Sequence, residues 1–296
     1  MSNRKLKRKR RFGDRKDGRL LRSLSPFYRF TPFIMKQRNE ATNYFKEKFE
    51  ITEAEKYLRA LREEGYPGIG FLHVFLAAYI RCVAQFPSMN RFISGQRIYA
   101  RNNIEINLII KKKMSMDAEE ENVKVFFEPT DGIRDVYRII GSEIEKNKKE
   151  SADNHTSNTA NLLIKLPRIF LRMVVRLVYW LDYHGRVPAT LLRASPFHGS
   201  LFVTDLGSIG VAPVYHHLYN FGNIPIFIAF GAKRKEYELN AEGKVVTKKY
   251  IDYTINLDER IADGYTFALV FRYLRQYLKN PRLLEKPLET IARDID

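Results

Sequence analysis

Apolar and polar positions alternate along residues 42–50 (TNYFKEKFE), and this two-residue period predicts a strand with one buried face. Thr52 and Glu55 then fit a T-x-x-E capping box that opens a helix, which Gly65 closes. Residues 69–86 (IGFLHVFLAAYIRCVAQF) are apolar almost all round and read as a buried core helix. The run is too short, and too polar at His73 and Arg81, to span a bilayer. Two short strands follow, QRIYA and IEINLII, joined by Arg101-Asn102-Asn103, and NVKVFFEP is a third. Residues 131–148 have amphipathic helical spacing, and 149–159 (KESADNHTSNT) read as a polar, mobile loop. LFVTDLGSIG and IPIFIAFG are strongly apolar strands. KEYELNAEGKVVTKKYIDYTINL predicts a hairpin turning at Asn240 to Gly243. The last helix starts near Gly264 and stops at Asn280-Pro281. No internal repeat is present. The alternation predicts one core in an α/β (α+β) sandwich, with helices covering a large mixed sheet.

Residues 162–181 (LLIKLPRIFLRMVVRLVYWL) stand apart, with fifteen apolar residues in twenty. Lys165, Arg168, Arg172 and Arg176 share one helical face, and the rest of the circumference is apolar. The pattern fits a helix packed on its own domain or on a subunit neighbour. It also fits an interfacial helix lying on a membrane, its basic stripe toward headgroups. Four cations and Pro167 argue against a transmembrane span.

Charge sharpens the picture at the start of the chain. The 296 residues carry a net +17, and residues 1–25 hold eleven Lys or Arg against two Asp, which is +9. Residues 1–34 read as a basic tail, solvated and partly disordered. Its 4–22 segment is also a candidate contact for anionic lipid or an acidic partner. Nothing interleaves aromatics with that charge as nucleic-acid modules do, so nucleic acid is not expected as a partner. One cysteine, Cys82, excludes an internal disulfide, and no signal peptide is visible; a cytoplasmic protein is expected. No P-loop or dinucleotide fingerprint occurs, and His73, His155, His184 and His198 are too scattered to hold a metal.

The candidate chemistry lies in INLDERIADGY, residues 255–265. Asp263 fits a helix N-cap, Gly264 admits close backbone approach, and Arg260 can satisfy a nearby acid. As a whole, Asp258-Glu259-Arg260-x-x-Asp263-Gly264 resembles the D-H-R-x-x-D-G signature of the acyltransferase catalytic domain of 2-oxoacid dehydrogenase complexes. Chloramphenicol acetyltransferase has the related H-x-x-x-D-G. LFVTDLGSIG is similar to that family's F-T-I-S-N-L-G segment. Residues 73–110 resemble its helix, F-P-x-x-N and two strands, with Phe86, Pro87 and Asn90 in place. MKQRNEATNYF resembles the early segment of chloramphenicol acetyltransferase that carries an arginine. The resemblance covers about residues 35–281, with a probable helical insertion at 149–195.

What the resemblance implies is a chloramphenicol-acetyltransferase-like fold, a homotrimer with its active site between subunits, and acyl transfer from a coenzyme A, pantetheine or lipoyl thioester. No cofactor would be held tightly. Glu259 stands where the family has its histidine base, and Thr204 where it has an oxyanion-binding serine. Asp263 would be structural and pair with Arg38. Imidazole suits a base near neutral pH, whereas a carboxylate needs its pKa raised to do the same work. His216 and His217, in VAPVYHHLYNFG, are the alternative base. The missing histidine equally admits a catalytically degenerate fold that binds or scaffolds. No lipoyl-type segment or subunit-binding segment is visible, so service as the core of such a complex is not expected.

Overall fold

The computed structural model describes residues 9–111, 120–152 and 167–296. The basic run before residue 9, most of the expected 149–159 loop, and Lys165 lie outside them. Strand β1 (Gly18–Leu20) and helix α1 (Pro26–Ile34) come first, then β2 (Thr42–Glu50), α2 (Thr52–Glu63) and α3 (Phe71–Gln85). Strands β3 (Arg91–Ser94), β4 (Arg97–Arg101), β5 (Ile104–Lys111) and β6 (Glu120–Phe127) lead to α4 (Ile133–Ala152). Helices α5 (Arg168–Tyr183) and α6 (Ala189–Ala194) precede β7 (Leu201–Asp205), β8 (Ile226–Leu239), β9 (Val245–Asp258) and α7 (Gly264–Lys279).

Among the described residues a six-stranded sheet runs in the order β2-β9-β8-β7-β5-β6, and a three-stranded one in the order β1-β4-β3. β7 lies parallel to β5 and β8, while the other neighbours are antiparallel. A mixed α/β sandwich is therefore what the alternation predicted. Odd positions of β9 and β2 face the helices: Phe49 stacks on Tyr253 at 3.8 Å, and Phe75 of α3 meets Phe230 edge-on at 4.7 Å. α3 is buried along nearly its whole length, as its all-round apolar sequence requires. The opposite face of the sheet carries a smaller cluster of Phe202, Phe227, Leu218 and Ile224.

Several expectations need correction. The helix at Thr52 forms, but not through a capping box. The Thr52 hydroxyl accepts from Lys249 N–H of β9 at 3.0 Å, and Glu55 is taken by Lys233 and Lys249. The strand IPIFIAFG and the first arm of the hairpin are one strand, β8, irregular only between Phe230 and Lys233. The expected tail of residues 1–34 is folded from Arg15 onward. β1 pairs with β4, and Arg15 and Asp17 are buried because each meets opposite charge. Finally, α5 does not pack on its own domain along most of its length: Asp182 is its one fully buried residue, and Tyr179 touches Phe221 near the same end. No helix of the described residues is long and apolar enough to cross a membrane.

Candidate active site

The D-E-R-x-x-D-G stretch spans the end of β9 and the start of α7. Asp263 caps α7: its carboxylate accepts from Thr266 N–H at 2.7 Å, which holds its pKa below the ordinary carboxylate range. Asp258 is fully buried and takes Arg260 bidentately, Nε at 2.7 Å and Nη2 at 2.6 Å. Arg260 also donates from Nη1 to the Met35 carbonyl at 2.6 Å, tying the motif to the segment that leads into β2.

Arg38 lies beside Asp258, Nε to Oδ2 at 3.7 Å, and not beside Asp263 as the resemblance implied. The reason is positional: Asp258 is enclosed below β9, whereas Asp263 is exposed at the helix end and satisfied there. Arg38 spends its other donors on carbonyls, reaching Tyr219 at 2.6 Å, Gly222 at 3.1 Å and Ile93 at 3.2 Å. Burial lowers its pKa to about 10, against the pull of Asp258. This guanidinium therefore binds the motif to the loop that carries the two histidines.

That loop, residues 211–219, has no regular structure, yet it lies flat on the outer face of the sheet. Gly231 makes this possible, because a Cβ there would come within 2.4 Å of Pro213. Ala232 N–H donates to the Val211 carbonyl at 3.0 Å, the Thr254 hydroxyl to Val214 at 2.6 Å, and the Asn256 amide to His216. The His216 ring stacks on Phe227 at 4.0 Å, and its pKa is pushed down first by burial and then by His217. It is the neutral imidazole at pH 7, the form that accepts a proton. His217 lies edge-on to Tyr219 at 4.8 Å.

Thr204 is buried near the end of β7 and belongs to this same face. Phe202, Phe227 and Asn256 form one row across the sheet, with Thr204, Ala229 and Thr254 in the next but one. Thr204 thus lies about 7 Å along the strands from the row over which His216 stacks. Glu259 is elsewhere. It follows β9 by one residue and has the parity of Leu257, which faces the helices; its carboxylate accepts from the Asn43 amide at 3.0 Å. Five residues separate it from Thr254, so it is roughly 17 Å along the strand from the Thr204 row and two strands across. One copy of the chain therefore groups Thr204 with His216 and holds Glu259 apart. Gly264, the first residue of α7, has open space around it, so close backbone approach is not its role in one copy.

Against these neighbours the chain can be set beside known proteins. No family model matches it, and no curated protein matches its sequence. Solved structures do match. A probable dihydrolipoamide acetyltransferase from Listeria monocytogenes 4b F2365 aligns over 85% of this chain and 88% of its own, at 12% identity and a TM-score of 0.54. The fold is that of the dihydrolipoamide acetyltransferase core. The cubic core of the pyruvate dehydrogenase multienzyme complex aligns over 89% and 94% at 12% identity, TM-score 0.51. The dihydrolipoamide acetyltransferase of Azotobacter vinelandii aligns over 87% and 88% at 12% identity, TM-score 0.50. Within this acetyltransferase fold, the buried Asp258–Arg260–Arg38 group and the stitched loop are the parts that organise the candidate site.

A second constellation escaped the sequence reading. Asp182, His198 and Ser195 form an Asp–His–Ser chain, with His198 Nε2 to Asp182 at 3.3 Å and Nδ1 to Ser195 Oγ at 2.8 Å. It resembles a hydrolytic triad only in order of bonding. All three residues are buried and Arg15 takes the same Asp182 oxygen at 2.7 Å, so the group ties β3, α5 and the connection between α6 and β7 together. No periodicity announces it, because Asp182 lies at the end of one helix while Ser195 and His198 follow another, and Arg15, which shares the Asp182 oxygen, is 167 residues away.

Proposed function

We propose that the chain is an acyltransferase that takes an acyl group from a thioester of the coenzyme A, pantetheine or lipoyl type, with a site completed between copies of a homotrimer. The observation that carries this reading is the retention of the Thr204 hydroxyl, near the end of β7 and under the histidine loop, in an acetyltransferase-core fold. In the Azotobacter vinelandii protein a serine, a histidine and an asparagine were investigated for roles in the catalytic mechanism.

The chemistry is simple to balance. The acceptor's thiol, hydroxyl or amine attacks the thioester carbonyl as a base takes its proton. Thr204 donates a hydrogen bond to the developing oxyanion. The tetrahedral intermediate collapses, the C–S bond breaks, and the leaving thiolate recovers the proton from the base. Glu259 serves as that base, or orients the attacking group, across the boundary with the Thr204 of a neighbouring copy. His216 is the base available within one copy.

Two experiments separate these parts. The first titrates coenzyme A and acetyl-coenzyme A by calorimetry and follows thiol release on the same sample. Binding with release supports transfer, and Glu259→Gln and His216→Gln then identify the base. The second mixes Glu259→Gln chains with Thr204→Val chains. Activity recovered in the mixture, and absent from each alone, shows that the site is shared between copies.

The Glu at the histidine position motivates a second reading, a degenerate fold that binds or scaffolds. It expects ligand binding with no release by the wild-type chain and some activity on placing histidine at 259 (Glu259→His), and it is overturned by robust wild-type transfer.

A further inference from the structure

Two helices leave most of their apolar surface uncovered, and both flank the same turn. On α5 the partly covered positions Leu171, Val178 and Leu181 mark the side toward the protein. At 100° per residue, Ile169, Met173 and Trp180 fall on the opposite side, with Leu177 and Phe170 beside them. All five are about half exposed or more. On α1, Phe27, Phe30, Phe33 and Ile34 are exposed as well. The β3–β4 turn joins the two. Tyr183 at the end of α5 donates to Gln96 at 2.8 Å, while Phe30 and Phe33 of α1 share a cavity of about 640 Å3 with Gln96 and Ile98.

The exposed charge on the two helices is basic, although beside them Arg22 is paired with Asp14 and Arg11 with Asp296. Arg168, Arg172 and Arg176 are exposed along one flank of α5. Arg22, Arg29 and Arg97 line the cavity beside α1. Lys9, Arg10 and Arg11 are exposed earlier in the chain, and Arg22 holds the Phe12 carbonyl at 2.6 Å. Between Arg168 and Leu181, and throughout α1, there is no Asp or Glu.

We infer that this face docks on an anionic lipid bilayer. Aromatic and aliphatic side chains half a helix wide, bordered by arginines and with Trp180 among them, match a layer that is apolar below and anionic above. Neither helix spans a bilayer, so the contact is peripheral. A second copy of the chain in a two-fold contact is a poorer occupant. It would set these arginine rows against their own counterparts with no exposed acid on the helices to offset them, Asp182 of α5 being buried. A head-to-tail contact of the kind a homotrimer makes is the alternative, which sedimentation separates.

The test is flotation of the full chain with vesicles of phosphatidylcholine alone and with about one third phosphatidylglycerol. Trp180 is the single tryptophan, so its emission reports this helix and nothing else. Flotation with the anionic vesicles, a blue shift of Trp180, and weakening by salt are expected. Arg168→Glu/Arg172→Glu/Arg176→Glu changes three exposed residues and should lower vesicle affinity roughly a hundred-fold. Ile169→Ser/Met173→Ser should lower it as well with the charge intact. No flotation at low salt overturns the inference, as does undiminished binding by the charge-reversed variant. Vesicle binding absent, with a fall in molecular mass for Ile169→Ser/Met173→Ser in sedimentation, overturns it in favour of contact between copies.

Discussion

Glu259 and His216 stand on opposite faces of one sheet, and their surroundings differ in kind. Glu259 lies just past the end of β9, partly exposed, with an amide from Asn43 on its carboxylate. His216 lies over the sheet, its ring on Phe227, its carbonyl held by Asn256, in a loop that Arg38 fastens to Asp258. The sequence motif pointed to the first residue. The geometry of one copy favours the second, because only His216 shares a face with Thr204. A motif therefore identifies a station in a fold, while the chemistry done there depends on which side chains reach it and from which copy.

The widest effect to look for is in turnover. Removing the working base should lower kcat/KM by about 10²- to 10⁴-fold, and removing the other candidate should leave it nearly unchanged. Glu259→Gln and His216→Gln assayed in parallel decide between the two faces. If His216 is the base, activity falls as pH drops through a value below its usual 6.5, since its pKa is lowered and only the neutral ring accepts a proton.

Next comes the group that joins the two faces. Arg260→Ala leaves Asp258 buried without its bidentate partner, and should cost about 3–5 kcal/mol in denaturant unfolding. A loss below about 1 kcal/mol would show that Arg38 alone can satisfy Asp258.

Acid stability sharpens the contrast with the Asp182 group. Bonds from His198 and the charge of Arg15 hold the Asp182 pKa well below its ordinary value. Its stabilising contribution is present in full above pH ~4, where the unfolded carboxylate is ionised, and fades as pH falls below that. Asp182→Asn should therefore flatten the acid limb of a stability-against-pH curve.

The smallest effect is at the helix cap. Asp263→Ala should cost about 1 kcal/mol in thermal unfolding through the lost bond to Thr266. A much larger loss would restore the buried pairing role that the resemblance had assigned to Asp263.

Much of this fold was legible because local pattern and global position agree. Thr42–Glu50 alternates because one side packs on α3 and α7, and Asp263 caps because its carboxylate needs only the next turn. Arg38 was assigned to the wrong aspartate, because sequence cannot tell that Asp258 is enclosed while Asp263 is exposed and satisfied by the first turn of α7. Arg15 and Asp17 read as solvated charge, because the Asp182 and Arg101 that help make their burial tolerable come from other parts of the chain. Nor could α5 be read, since a half-apolar helix has the same periodicity whether it meets protein or lipid.

The histidine loop has one more property. Its carbonyls at Val211, Val214, His216 and Tyr219 are held by Ala232, Thr254, Asn256 and Arg38, none of which belongs to it. Its shape is thus imposed from outside, and the side chains at Tyr215, His216 and His217 can be exchanged while the backbone keeps its path. The fold offers a fitted socket at this place, in which new reactive groups can be installed by substitution, by selection or by design.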